Sequence, residues 1–431
     1  MMPVLKARAP RAVFLGALFA GSAALAYTLA PQPSYVRGES PRATSTTLHG
    51  FFATFGADEE QPLAPQPRSG HVATPEQVKG IYMSQCVVGT PSFREKLVRL
   101  VEETELNAIV IDIRDYTGYI SFDTDHPLLK EYVSTQCGAS DMREFIAMLH
   151  EKDIYVIGRI TTFQNPAYTK NHPDQAVQRK GGGVWKDHKG LAFVDVGAKP
   201  YWETVVALAK ESYDIGFDEL NFDYIRFPSD GDMAATDYSW SRGKSKPEAL
   251  EEFYRYLHAE LQPEGMTPGV NAPVISADLF GMVTTNEDDL NIGQVLERAL
   301  PYFDYICPMV YPSHYPSGFH GYKDVNAHSY GIVHFSMEEA VRRTTATTTS
   351  IGSFAYTRLG TSTPVLYEKP SYSASKMRPW LQSFDYPVTY TAAMVREQIQ
   401  ANEDAGLQGY LFWDPANKYR ALEQALAQSH E

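Results

Sequence analysis

The sequence predicts an α/β fold, a closed (β/α)8 or TIM barrel forming a single catalytic-type domain. Short apolar runs alternate with helical patterns along most of the 431-residue chain, and there are eight such runs. Strand–helix alternation indicates a parallel sheet, and eight repeats match a closed barrel. An open, doubly wound sheet is the alternative. Such a sheet usually has a glycine-rich phosphate turn after its first strand, whereas this sequence continues there with QCVVGT.

The eight apolar runs are the predicted strands, and the segments between them show the i, i+3, i+4 spacing of amphipathic helices. The predicted strands are 78–84, 107–115, 154–161, 218–227, 274–281, 305–312, 377–384 and 409–415. The predicted helices are 92–104, 141–153, 199–216, 246–262, 291–303 and 391–406.

The N-terminal region predicts export. Residues 1–30 form a signal peptide or a membrane anchor, because basic residues precede an apolar run over 12–30 that contains an A-x-A-like site. Residues 31–75 are rich in Pro, Ser and Thr and predict a flexible linker, which leaves 76–427 as the barrel domain. We therefore expect a periplasmic or extracellular protein, or one anchored to the outer face of the inner membrane.

The formal net charge of -14 argues against a nucleic-acid partner, which needs a basic face. The sequence contains no H-E-x-x-H motif and no G-x-S-x-G elbow. We expect neither a metal nor a cofactor, and the sequence leaves the oligomeric state open.

The three cysteines fit no zinc-binding spacing. Export permits a disulfide, and Cys86 and Cys137 are the preferred pair because both follow early predicted strands. Three buried free thiols, including Cys307, are the alternative.

Polar and aromatic side chains follow the predicted strands, where the active residues of a barrel lie. Asp223 and Asp278 are the candidate catalytic pair, at the ends of strands four and five. The candidate substrate-binding residues are Asp112, Arg114, Arg159, Tyr224, Arg226, Tyr311, His314, Arg378, Trp380, Trp413, Asp414 and Asn417.

This mixture is typical of a sugar site, because sugars stack on aromatic rings and need fixed polar partners for their hydroxyls. Glycoside hydrolysis requires two carboxyl groups that flank one bond. We expect Asp223 to be the nucleophile or charge stabiliser, kept ionised by Arg226 beyond it. A structural carboxylate bound to an arginine is the alternative for Asp223. Asp278 is the expected acid/base; its rivals are Asp112, Asp115, Asp414 and Glu287.

Two further acids, Asp218 and Glu219, begin the same strand as Asp223. Residues at the start of a barrel strand lie at the bottom of the barrel and usually serve stability. We therefore expect Asp218 and Glu219 to make structural pairs there.

Several motifs together resemble a family of exported bacterial proteins, similar to TIM-barrel glycoside hydrolases and long carried as a domain of unknown function. They include AIVIDIRDYTGYI, GFDELNFDYIRFPSDG, ICPMVYPSHY and GYLFWDPANKY, and the resemblance covers roughly residues 76–425. It implies a barrel, a polysaccharide or oligosaccharide substrate and a role for Asp223 as the strand-four carboxylate.

The function expected from residues and resemblance together is hydrolysis of a cell-envelope or extracellular polysaccharide by paired-carboxylate acid/base chemistry. The alternative is a carbohydrate-binding or envelope-organising protein on a barrel that lacks catalysis. Both require aromatic side chains at the rim, and only the first requires two carboxyl groups close together.

Overall fold

The computed structural model describes residues 70–361 and 363–427. The predicted signal or anchor at 1–30 and most of the predicted linker lie outside them.

Eight parallel strands close into a barrel in which each strand pairs with its neighbours in chain order. Their residues are largely buried on both faces, as expected for strands covered by helices outside and by packed side chains inside. The strands are β1 (Lys79–Met83), β2 (Ala108–Arg114), β3 (Tyr155–Thr161), β4 (Glu219–Asp223), β5 (Val274–Phe280), β6 (Tyr305–Met309), β7 (Trp380–Gln382) and β8 (Tyr410–Trp413). The predicted fold is confirmed.

Helices lie in the connections between the strands. The longer ones are α1 (Pro91–Glu102), α2 (Met142–His150), α3 (Lys199–Ile215), α4 (Lys246–Leu261), α5 (Ser329–Thr345), α6 (Ala392–Asp404) and α7 (Arg420–Ala427). None of the described helices is both long and apolar enough to cross a membrane.

Three elements show the differences from the sequence prediction that bear most on the site and the fold. β4 ends at Asp223 rather than at 227, because Tyr224 adopts a positive φ of 50°. The helix predicted over 291–303 is only one turn, Leu296–Ala299, since Asn291 also has a positive φ. Helix α5 was not predicted, although its buried residues follow a helical period.

The bottom of the barrel is closed by ion pairs. Glu219 accepts hydrogen bonds from the Arg378 guanidinium and from Ser276 Oγ (2.5 Å). Asp218 accepts one from the Val72 backbone N–H and contacts His150 Nε2, each at 2.9 Å. The two acids at the start of β4 are therefore structural pairs, as predicted, and the last residues of the predicted linker pack against the barrel.

A disulfide joins Cys86, just after β1, to Cys137, while Cys307 is a buried free thiol. The bridge attaches the short helix Gln85–Val88 to the connection that follows β2. This is the pair that the sequence analysis preferred.

Candidate active site

The carboxyl ends of the strands surround a cavity of about 320 Å³, at the lower end of the size range of small-molecule sites. Asp223 and Asp278 both line it. The other lining residues are Arg159, Tyr224, Arg226, Phe280, Gly281, Met282, Met309, Tyr311, His314, Tyr315, Trp380 and Trp413. The two candidate catalytic residues thus share one cavity.

Arg159 of β3 is the centre of the polar network. In the barrel register Arg159 lies beside Asn221 of β4, two residues before Asp223, so its long side chain reaches Asp223 from below. Its Nε and Nη2 lie 3.1 and 2.5 Å from Asp223 Oδ2, and its Nη1 lies 2.6 Å from Asp112 Oδ1. One buried guanidinium therefore orients two carboxylates.

Asp223 is held from two sides. Its Oδ2 accepts both bonds from Arg159, and its Oδ1 accepts the backbone N–H of Tyr224 at 2.5 Å. The positive φ of Tyr224 is an uncommon conformation for a bulky residue and costs on the order of 1–3 kcal/mol. This turn stops the strand at Asp223 and directs the Tyr224 N–H at the carboxylate.

Arg226 was predicted to be the cation that keeps Asp223 ionised, but it does not pair with Asp223. Arg226 follows the turn at Tyr224, and its Nη1 donates instead to Phe227 O and Ser229 Oγ. The ion pair with Asp223 comes from Arg159 on the neighbouring strand.

Asp278 is more deeply buried than Asp223, and Arg159 balances its charge less closely. Its Oδ1 accepts hydrogen bonds from Trp380 Nε1 (2.7 Å) and Asn221 Nδ2 (2.9 Å). Burial raises the pKa of Asp278 well above its usual range and the charge of Asp223 raises it further, while Arg159, Asn221 and Trp380 only partly oppose this. Asp278 is therefore the carboxyl group that retains a proton.

The two carboxyl groups are close together. Arg159 Nε lies 3.1 Å from Asp223 Oδ2 and 3.9 Å from Asp278 Oδ2. Because both oxygens lie near the same nitrogen, they are at most about 7 Å apart. Retaining glycosidases space their carboxyl groups by roughly 5–5.5 Å and inverting ones by roughly 6.5–9.5 Å, so this bound excludes most of the inverting range.

Aromatic rings form the wall beside the carboxyl groups. The rings of Trp380 and Trp413 meet edge to face at 5.6 Å, and Tyr82 stacks on Trp413 at 3.9 Å. The guanidinium of Arg159 lies 4.9 Å from the Trp413 ring, which fixes both groups. A sugar ring in the cavity would find flat apolar faces next to the acids.

A second row of aromatic side chains leads out of the cavity. Tyr311 contacts Phe384 at a centroid distance of 5.5 Å, His314 lies 5.9 Å from Phe384, and Tyr386 lies 6.3 Å from His314. Burial lowers the pKa of His314, so its ring is neutral at neutral pH. The fully buried Gln382 donates to the backbone carbonyls of Phe384 and Tyr386, so the exposed end of this row is anchored.

Three residues predicted to bind substrate lie elsewhere in the barrel. A register shift at the end of β2 turns Arg114 outward, where its Nε donates to Thr161 O and its guanidinium lies 5.7 Å from the Tyr201 ring of α3. Arg378 precedes β7 and therefore lies at the bottom with Glu219. Asp112 points inward but lies beneath the cavity.

Asp112 supports the site from below. It accepts hydrogen bonds from Arg159 Nη1 and from Tyr82 OH (2.5 Å), and it is 1% exposed. Burial raises the pKa of Asp112 to about 6, despite the opposing effect of Arg159. It therefore positions Arg159 and Tyr82 and does not line the cavity.

Asp414 and Asn417 were also predicted to bind substrate, and instead they build the turn after β8. Asp414 accepts the backbone N–H groups of Ala416 and Lys418, and Asn417 Oδ1 accepts that of Ser84. These bonds attach the turn to the end of β1. Both side chains form hydrogen bonds with backbone groups and do not line the cavity.

The apolar part of the cavity lining was not predicted from the sequence. Phe280, Met282, Met309 and Tyr315 form it, and they come from β5, β6 and the segments that follow. Their position in or just after the last residues of predicted strands was an available signal, but apolar residues there are also expected in a core. Among the described residues no group of three or more His, Cys, Asp or Glu side chains is arranged to hold a metal ion.

Residues 80–419 match the model of the family described as "Putative glycosyl hydrolase domain". The chain belongs to this family. The match spans the barrel from β1 to the turn after β8. It includes both cavity carboxylates and every lining residue of the cavity.

This glycosyl hydrolase domain shares its fold with solved glycosidases. The glycoside hydrolase domain of PgaB (BpsB) from Bordetella bronchiseptica matches at 12% identity and a TM-score of 0.51, covering 81% of this chain and 98% of that one. The catalytic domain of β-amylase from Paenibacillus polymyxa matches at 9% identity and a TM-score of 0.50, covering 83% and 100%. At these identities the similarity establishes the barrel alone.

A hypothetical protein from Ruminiclostridium thermocellum ATCC 27405 is 30% identical over 49% of this chain and 98% of its own, with a TM-score of 0.41. No protein with curated annotation matches the sequence. By family and fold the chain is a TIM-barrel glycoside hydrolase whose substrate is a carbohydrate.

Proposed function

We propose that this domain is a retaining glycoside hydrolase in which Asp223 is the nucleophile and Asp278 the acid/base. One observation carries the proposal. Arg159 Nε lies within 3.9 Å of an oxygen of each carboxyl group, yet only Asp223 forms a close ion pair with it. Two neighbouring carboxyl groups in such different electrostatic environments are the pattern of an acid/base pair.

In the first step Asp278 donates its proton to the leaving-group oxygen while Asp223 attacks the anomeric carbon. The glycosidic C–O bond breaks as the bond to Asp223 forms. Oδ1 of Asp278 already accepts two hydrogen bonds, which leaves Oδ2, 3.9 Å from Arg159 Nε, as the oxygen available to carry the proton.

In the second step a water molecule attacks the anomeric carbon and releases Asp223 as a carboxylate. Asp278, now ionised, accepts the proton of that water and returns to its starting state. Arg159 stabilises the two carboxylate states in turn, because it contacts both residues.

The proposed substrate is a polysaccharide of the cell envelope or the extracellular medium. The cavity of about 320 Å³ suits the sugar at the cleaved bond, and the aromatic row from Tyr311 to the 58% exposed Tyr386 supports contact with further units. Export remains part of the proposal. It is supported by the Cys86–Cys137 disulfide, because such bonds persist in oxidising compartments.

The test is a turnover screen of the full-length protein on bacterial envelope and extracellular polysaccharides. Asp223→Asn should abolish turnover and leave the melting temperature close to wild type. Asp141→Asn is the matched control, since Asp141 also pairs with an arginine, Arg94, but on the outer surface.

Two outcomes would contradict the proposal. Wild-type turnover by Asp223→Asn would make that carboxylate structural. Binding of a polysaccharide without turnover by the wild-type protein would favour the non-catalytic carbohydrate-binding alternative.

A further inference from the structure

Arg226 is a cation of the cavity that the proposed reaction does not use. Two arginines line the cavity, and Arg159 is neutralised by Asp223 and Asp112. Arg226 forms no ion pair with any carboxylate among the residues that the structure describes. His314, also in the lining, is neutral at neutral pH. Arg226 is therefore the charged group of the lining that no described carboxylate contacts directly.

The guanidinium of Arg226 is held in place by aromatic rings. It lies 4.9 Å from the Tyr224 ring, 4.9 Å from the Phe280 ring and 5.8 Å from the Phe193 ring. Stacking of this kind restricts the plane of the guanidinium. Because three rings surround it, the charge is presented in a fixed orientation.

Only one nitrogen of Arg226 is occupied. Nη1 donates to Phe227 O at 2.9 Å and to Ser229 Oγ at 3.2 Å. Nε and Nη2 make no hydrogen bond within residues 70–361 and 363–427, and neither is a fully buried unpaired atom. These two nitrogens form the edge of a guanidinium that commonly binds an anion with two parallel bonds.

The electrostatics of Arg226 would favour an anion beside it. Burial lowers the pKa of Arg226, and the charges of Asp223, Asp187 and Asp230 oppose this without cancelling it. Removing a cation from water without a counter-ion is costly. A bound anionic group would remove that cost.

We infer that Arg226 binds an acidic group of the substrate, so that the domain acts on an anionic glycan. This inference rests on the proposed function, because it requires a sugar in the cavity. A carboxylate of a uronic acid and a sulfate or phosphate ester share the necessary chemistry, since each accepts two parallel N–H bonds. The net charge of -14 repels anions at long range, so the selectivity comes from Arg226 itself.

The test uses oligosaccharides matched in linkage and length that carry a hydroxymethyl group, a carboxylate or a sulfate ester at the same position. Their binding to the full-length protein is measured by calorimetry at low and high salt. Wild type should bind a charged member about 10- to 100-fold more tightly than the neutral one, as expected for hydrogen bonds to a charged group.

Three variants distinguish the role of Arg226. Arg226→Gln should remove the preference, and Arg226→Lys should keep part of it without the paired geometry. Arg255→Gln is the matched control, because Arg255 also lies over an aromatic ring, Phe354 at 5.1 Å, but outside the cavity. It should retain the full preference.

The outcomes separate this inference from the proposed function. Turnover of the neutral member at the rate of the charged ones leaves the hydrolase intact and overturns the role of Arg226. Preferential binding of a charged member without any turnover supports the proposed role of Arg226 and contradicts the proposed hydrolase activity. The inference is overturned if the wild-type protein shows no preference for the charged members or does not bind them. It is also overturned if that preference survives in Arg226→Gln.

Discussion

Asp278→Asn removes the proposed proton donor and preserves most of its surroundings. An asparagine carbonyl can still accept the hydrogen bonds from Trp380 Nε1 and Asn221 Nδ2 that now reach Oδ1. Burial and the charge of Asp223 raise the pKa of Asp278 and so favour its protonated form, which has the same charge as asparagine. The fold and the Arg159–Asp223 ion pair should therefore persist.

The loss in rate can be calculated from the role assigned to the residue. General acid catalysis contributes about 10²- to 10⁴-fold, which is about 2.7–5.4 kcal/mol at 1.36 kcal/mol for each factor of ten. We expect kcat/KM on an oligosaccharide to fall by this factor. A dinitrophenyl glycoside of the same sugar has a leaving group that needs no proton, so its kcat/KM should change less than about tenfold.

The pH profile provides an independent measurement. Wild-type activity requires protonated Asp278, so kcat/KM is lost as the pH rises through the pKa of that residue. In Asp278→Asn this alkaline limb should disappear. Equal losses on the two substrates, or an alkaline limb that remains, would refute the assignment of Asp278 as the acid.

Three further predictions concern stability and substrate length. Burial raises the pKa of Asp112 from 3.8 to about 6, so its stabilising contribution is complete below pH 3.8 and is lost as the pH rises through 6, about 3 kcal/mol in total. Between pH 4 and 6.5 the unfolding free energy of Asp112→Asn in urea should therefore rise by about 2 kcal/mol relative to wild type, and parallel curves would contradict this. Tyr386→Ala should raise KM about 2- to 10-fold on long oligosaccharides and leave KM unchanged on an aryl monosaccharide. The control Tyr330→Ala, on α5, should alter KM for neither substrate. An equal effect of Tyr386→Ala on both substrates would exclude a distant sugar contact. Reduction of the Cys86–Cys137 disulfide, or its replacement by two serines, should cost about 4 kcal/mol for a separation of 51 residues, and an unchanged urea midpoint would show that the bridge is not stabilising.

Local patterns in the chain were sufficient to predict the barrel. Strand period, helix period and their alternation are properties of neighbouring residues, so the eight strands were found within a few residues of their true ends. Asp223 and Asp278 were predicted to share one cavity for a similar reason, because the carboxyl ends of parallel strands meet at one rim. The same reasoning placed Asp218 and Glu219 at the bottom.

The errors came from features that depend on backbone conformation. The positive φ of Tyr224 ended β4 early and moved Arg226 away from Asp223. The register shift in β2 turned Arg114 outward although its period in sequence suggested an inward side chain. Neither a left-handed residue nor a shifted register has a reliable signature in a single sequence.

The sequence by itself determined the number and order of the strands, and therefore the acids that meet at the rim. Only the tertiary structure decided which cation pairs with Asp223, which acid keeps its proton and which arginine lacks a counter-ion. These properties depend on distances of a few ångströms between side chains of different strands, set by strand register and burial. Interaction energies between charges change steeply over such distances in a dry cavity, so the chemistry of each acid is decided by its neighbours in space.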